Sequence, residues 1–381
     1  MRAVPSSLTV GIEEEYLLVD KTTRDLVSDP PEALLKTCEA ELAGQVTPEF
    51  LRSQIEVATR VCGSVQEARA DLARLRRTIA DVADHHGLAP IAVSTHPLAG
   101  WREQRTTAKE RYLGLQRELE AVARRMLICG MHVHVGIEDG DLRIDLMNQL
   151  TYFLPHLLAL STSSPYWNGE DTGLMSYRLT IMHNLPRTGF PEAMETWGDY
   201  ERLIDRLSAV GIVEDGTRLW WDIRPSVRFP TLEMRVADVC TRLDDGITVA
   251  TIYICLLRML WRLRADNQRW RLYPPMFIAE NLWRAQRYGS DGELIDLGKW
   301  GAFPFAELVE EIIGLVREDA ETLGCVAEIE HAREILARGT SAHGQRHVWN
   351  AARRAGADGE EAYRAVVDWL IEESVAGITA G

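Results

Sequence analysis

Residues 8–20 read LTVGIEEEYLLVD. In a strand, side chains alternate between two faces. Thr9, Gly11, Glu13 and Glu15 then share one face, and Leu8, Val10, Ile12, Tyr16 and Leu18 share the other. An apolar face opposed by a small-then-acidic face describes a sheet packed on one side and open to a cleft on the other. Glu14 breaks the pattern by projecting to the apolar side, where it needs a partner. Its expected role is structural.

The same signature recurs outward along the chain. In residues 53–61, Gln54, Glu56 and Ala58 oppose Ile55 and Val57. In residues 127–137, Gly130, His132, His134 and Gly136 alternate with Cys129, Met131, Val133 and Val135. Residues 220–229 set Asp222, Arg224 and Ser226 against Trp221, Ile223 and Val227, and residues 231–239 set Glu233 and Arg235 against Leu232, Met234 and Val236. A solvent-facing strand also alternates polar with apolar. These faces differ in concentrating Glu, His and Arg beside Gly, which leaves open space above the strand. Carboxylates gathered on one surface repel one another unless cations neutralise them. Hard divalent cations prefer such oxygen donors, and magnesium held by carboxylates usually also holds nucleotide phosphates. The His132/His134 pair is also compatible with zinc. The excess of Glu, with no cysteine nearby, favours magnesium or manganese.

Between these strands lie helix signals. Ser64 followed by Glu67 predicts a capping box, and Leu72, Leu75, Ile79 and Val82 form the apolar stripe of a helix ending at Gly87. Further helices are expected over residues 142–160, bent near Pro155, and over 247–264. From about Phe305 the chain reads as helices only. The expected fold class is α+β, a sheet from the first two-thirds flanked by helices, in a single domain spanning residues 1–381.

Composition sets outer limits. A formal net charge of −15 over 381 residues argues against nucleic acid and anionic membranes as partners. The apolar run at 247–263 contains Arg258 and Arg262, so a buried core helix is expected rather than a membrane span. The six cysteines form no CxxC pair and read as reduced thiols. With no basic-then-apolar leader pattern in the first residues, the expected compartment is the cytoplasm.

The motifs GIEEEY (11–16), SQIEVAT (53–59), STHPLAGW (94–101), CGMHVHVG (129–136), SSPYWNGEDTGLMSYR (163–178), WDIRPS (221–226), TLEMRVAD (231–238), NLWRAQRYG (281–289) and GTSAHGQR (339–346) follow one another in this order. The series resembles the YbdK-like carboxylate–amine ligases, the second glutamate–cysteine ligase family, over nearly the whole chain. More distantly, the ExE, GMHVH and ExR strands are similar to those of glutamine synthetase. The resemblance implies a glutamine-synthetase-like catalytic fold, a saddle-shaped antiparallel sheet with its concave face as the active site. It implies Glu13, Glu15, Glu56, His132 and Glu233 as metal ligands. Arg235 would approach the transferring phosphoryl group or the substrate carboxylate, with Arg178 and Arg224 binding anions. His134 would contact nucleotide phosphate or stand behind the metal ligands, and Asn281 and Arg287 would support the site or lie at the surface.

The activity so implied is ATP- and Mg²⁺-dependent (or Mn²⁺-dependent) joining of the γ-carboxylate of L-glutamate to the amino group of L-cysteine through an acyl phosphate. Another carboxylate and amine or small peptide, or a phosphotransfer that stops at a phosphorylated product, are the alternatives. A zinc hydrolase and a non-catalytic nucleotide binder are the more distant ones. Covered sheet edges would make the protein a homodimer.

Overall fold

The computed structural model describes residues 4–378. Its main sheet has seven strands: β1 (Val10–Asp20), β2 (Val46–Pro48), β3 (Gln54–Ala58), β4 (Leu88–Ile91), β5 (Met131–Gly136), β6 (Ile223–Pro225) and β7 (Thr231–Met234). The order is β6-β7-β5-β1-β3-β2, every pairing is antiparallel, and β4 also pairs with β1. At 11 residues, β1 is long enough for two partners on one edge. Residues Val10 to Glu14 face β5 and Leu17 to Asp20 face β4, while Glu13 to Leu17 pair with β3 on the opposite edge.

Burial along β1 follows the expected alternation: Val10, Ile12, Glu14 and Tyr16 are buried, whereas Gly11, Glu13 and Glu15 are half-buried. The buried face packs on α2 (Val65–Asp84), which follows α1 (Glu32–Leu42). Leu72, Leu75, Ile79 and Val82 of α2 are all in the core. Glu14 finds its partner there: Arg76 donates two hydrogen bonds of 2.8 Å to its carboxylate, and the Tyr16 hydroxyl donates a third of 2.5 Å. At the start of α2, Ser64 Oγ accepts from the Glu67 N–H at 3.2 Å. The return half of the capping box differs from expectation. The Glu67 carboxylate reaches one residue further, to the N–H of Gly63 at 2.7 Å.

The helix expected over 142–160 is two helices, α3 (Gly140–Leu150) and α4 (Leu154–Ser161), separated by a 3₁₀ turn at Thr151–Phe153. Pro155 lies in the first turn of α4, where its missing N–H leaves no hydrogen bond unmade. The next long helix, α5 (Leu243–Ala265), starts earlier than expected. It is long and apolar enough to cross a membrane, but 83% of its apolar window is buried inside the protein. Its Arg258 and Arg262 both meet Asp319, at 2.6 and 2.8 Å. Asp319 comes from α7 (Phe305–Leu323), which follows α6 (Pro275–Tyr288). The remainder is helical, including α8 (Ser341–Arg354) and α9 (Gly359–Ser374).

Four strands, β3, β5, β6 and β7, are shorter than their alternation suggested. Pro225 has no N–H and ends β6, and the chain turns back through a Ser226 N–H to Thr231 carbonyl bond of 2.9 Å. Asp222 lies in the bend just before β6; it is buried and bonds His183 Nε2 at 3.0 Å. Beyond Met234 the chain runs beside the sheet with isolated contacts, such as the Gly130–Asp238 bridge.

Candidate active site

The polar face of the sheet floors a cleft of about 500 Å³. Two groups of metal-type donors stand in it, each with its ligand atoms within 4.8 Å of one another: Glu13, His134 and Glu233; and Glu15, Glu49 and Glu56. Strand register brings one pair together in each. Glu15 lies directly opposite Glu56 across β1 and β3, and Glu233 directly opposite His134 across β7 and β5.

In the first group, His134 Nε2 lies 3.5 Å from Glu13 Oε1, and its Nδ1 meets Thr231 Oγ1 at 2.9 Å. His132 sits behind, its Nδ1 3.2 Å from Glu13 and 4.0 Å from Glu233. His132, expected as a metal ligand, thus stands within reach of both carboxylates, directly opposite Glu13 across β1 and β5. His134, expected at the nucleotide phosphates, shares the same donor group. Burial opposes ionisation of Glu13, but hydrogen bonds from His132 and His134 outweigh it and hold the carboxyl well below its usual range. Glu233 is likewise buried, and the charges of Arg235 and Arg224 hold its carboxyl well below normal. Burial, reinforced by the Arg235 charge, pushes His132 down to about 4. Burial also disfavours the charged form of His134, yet its contact with Glu13 and the Glu233 charge raise it.

The second group behaves oppositely. Burial and the neighbouring Glu49 push Glu15 up to about 8, although Arg178 and the Gly130 N–H (2.8 Å) favour its charged form. Glu56 is raised well above normal by burial and by the Glu49, Glu13 and Glu15 charges. Three converging carboxylates with so little compensation form an oxygen-donor set that fits a hard divalent cation. Glu49 was not among the expected ligands. It lies in the bend just after β2, outside any strand alternation, and only the β2–β3 hairpin brings it beside Glu56.

Arginines form the opposing wall. Arg224 bonds Glu233 at 2.8 Å across the β6–β7 ladder. Arg235 pairs with the same carboxylate. Arg178 is 3% exposed but lines the cleft beside Gly130. Lys109, Arg111, Arg218 and Arg228 add further charge to the rim, which single-strand alternation did not point to. Asn281 is elsewhere: its side chain clips the backbone of Ile295 through bonds of 2.8 and 2.7 Å, so it ties α6 to the antiparallel strand pair Glu293–Asp296 and Gly301–Pro304 that follows it. Arg287 donates to the Gly173 carbonyl and likewise does not line the cleft.

Comparison with known proteins places the chain in a family. The family profile described as glutamate-cysteine ligase family 2 (GCS2) matches residues 9–369. A Rhodospirillum rubrum protein named "Putative glutamate--cysteine ligase 2" is 58% identical over 378 residues, covering 98% of this chain and 97% of its own. A Paracoccus denitrificans protein of the same name is 53% identical over 365 residues, covering 96% and 97%. Among solved structures, glutamate–cysteine ligase from Francisella tularensis in complex with AMP superposes with a TM-score of 0.67 at 15% identity, covering 98% of this chain and 90% of its own. A bifunctional glutathione synthetase from Pasteurella multocida gives 0.67 at 12% identity, covering 97% of this chain and 53% of its own. These two likenesses establish the fold, while the profile and the close relatives establish kinship. The chain belongs to glutamate-cysteine ligase family 2.

Proposed function

We propose that this protein is an ATP-dependent carboxylate–amine ligase that joins the γ-carboxylate of L-glutamate to the amino group of L-cysteine or a related amine. The observation that carries this reading is the pair of largely half-buried donor groups, Glu13/His134/Glu233 and Glu15/Glu49/Glu56, standing with arginines in one cleft. A carboxylate does not react with an amine at neutral pH because its oxygen leaves poorly; transfer of a phosphoryl group makes an acyl phosphate that does. Magnesium or manganese held by these donors would supply positive charge to the nucleotide phosphates. Glu13 and Glu233 suit that role because they remain ionised.

The protein's own residues orient the reactants and offset charge. Arg235 and Arg224 are fixed by Glu233, so their remaining N–H groups are aimed before substrate arrives. Such preorganised donors stabilise charge developing in the transition state without reorganising at that moment. Arg178 offers a further buried guanidinium on the Glu15 side. The test is ATP consumption with L-glutamate and a panel of amines, read by product mass. An amide formed with ADP is the expected outcome. A stable phosphorylated substrate without amide would assign a phosphotransferase instead, and no ATP consumption with any pair would overturn the ligase reading.

A further inference from the structure

Three motifs that supply few of the cleft's carboxylates, those at 163–178, 231–238 and 339–346, converge on one buried group. Asp238 is 0% exposed. It accepts hydrogen bonds from the Ser163 N–H (2.9 Å), Ser164 Oγ (2.8 Å) and Ser176 Oγ (2.9 Å). Ser164 Oγ in turn accepts from the backbone N–H of Arg178 at 3.1 Å. Asp238 therefore closes the loop between Ser164 and Ser176 and sets where Arg178 leaves it.

The other end of Arg178 is held by the same segment that carries Asp238. Its guanidinium donates to the carbonyls of Arg235 (3.2 Å) and Val236 (3.4 Å). Gly130 leaves the room, since a Cβ there would overlap the guanidinium. From behind, Gln345 of α8 donates to the Ser163 carbonyl at 2.7 Å, and Thr340 bonds Thr162 at 2.7 Å. Arg178 Nε is left buried with no hydrogen-bond partner among the described residues. A clamped guanidinium with an unfilled donor at a cleft wall suits an anionic group of a substrate.

We propose that Asp238 is a positioning residue which, through Ser164 and Ser176, fixes the Arg178 guanidinium against the anionic group of the substrate. The identity of that group rests on the ligase reading; the positioning does not. Asp238→Ala removes all three acceptor contacts and is expected to lower kcat by about 10²-fold, the scale of a misplaced binding group. Asp238→Asn restores much of it, because the amide oxygen still takes the Ser163 and Ser164 donors while the Ser176 hydroxyl turns round to accept. In the Arg178→Ala background, Asp238→Ala causes no additional loss, as expected of residues acting through one another. Should Asp238→Ala not fold, Ser164→Ala cuts the same link and is expected to show the same dependence on Arg178. Arginine Nε-labelled NMR reads the positioning without turnover: the Arg178 signal, identified by its absence in Arg178→Lys, shifts or broadens in the Asp238 or Ser164 variant. A full-sized loss in the Arg178→Ala background, or an unchanged Arg178 signal, overturns the proposal. Wild-type protein that forms no amide overturns the ligase reading instead and leaves the NMR result to decide the positioning.

Discussion

At the scale of single residues, three consecutive glutamates have three different fates because strand geometry separates them. Glu13 and Glu15 stand on the open face in different donor groups, and Glu14 is buried against Arg76 on the other side. Glu13→Gln keeps the shape but removes the charge that the two histidines stabilise. It is expected to lower ATP turnover by about 10²–10³-fold or more while the melting temperature stays near wild type, which steady-state kinetics and calorimetry together check. Glu233→Gln is expected to act similarly. For Glu14 the expectation reverses. Arg76→Met leaves a buried carboxylate without its cation and is expected to cost about 3–5 kcal/mol, measured by urea denaturation. The glutamate run and its alternation were legible in the sequence. The identity of Glu14's partner was not, because Arg76 is 62 residues away and comes close only when α2 packs on the sheet.

At the scale of elements, period-two patterns located β1 well but overran at β3, β5, β6 and β7. The period persists in the sequence after Pro225 and Met234, whereas regular pairing does not. Gly130, just before β5, carries more information than the weak strand preference of glycine suggests. Gly130 makes room for Arg178 and sends its N–H to Glu15, so one residue serves both walls of the cleft. Gly130→Ala is expected to displace Arg178 and to destabilise the fold by about 1–3 kcal/mol, the usual cost of overpacking. Its kcat should fall by more than its stability loss explains, measured at a temperature where the variant is fully folded. An unchanged kcat would show that Arg178 does not need this placement.

At the scale of the whole molecule, the Glu15/Glu49/Glu56 group couples stability to pH and to cations. A carboxyl raised by the fold keeps its proton to higher pH than in the unfolded chain. The folded state then binds more protons, and without a cation its stability falls as pH rises from the ordinary carboxylate value near 4.5 towards about 8 for Glu15. Glu56→Gln is expected to raise the melting temperature of the cation-free protein at pH 8. Magnesium with ADP should stabilise wild type, by about 2.7 kcal/mol at 100 times Kd, and Glu56→Gln should lose most of that gain; thermal shift in both conditions checks the pair. The sequence by itself determined the α+β class, the faces of the central strands and most of the candidate site, because period-two alternation is written in neighbouring residues. Only the tertiary structure decided that Glu49 joins the second donor group, that His134 stands with Glu13 and Glu233 in the first, that Asn281 stands outside the cleft, and that Asp238 underlies Arg178. Each of those depends on strand offset or on contacts between distant segments, and chain folding sets such distances without leaving a local pattern to read.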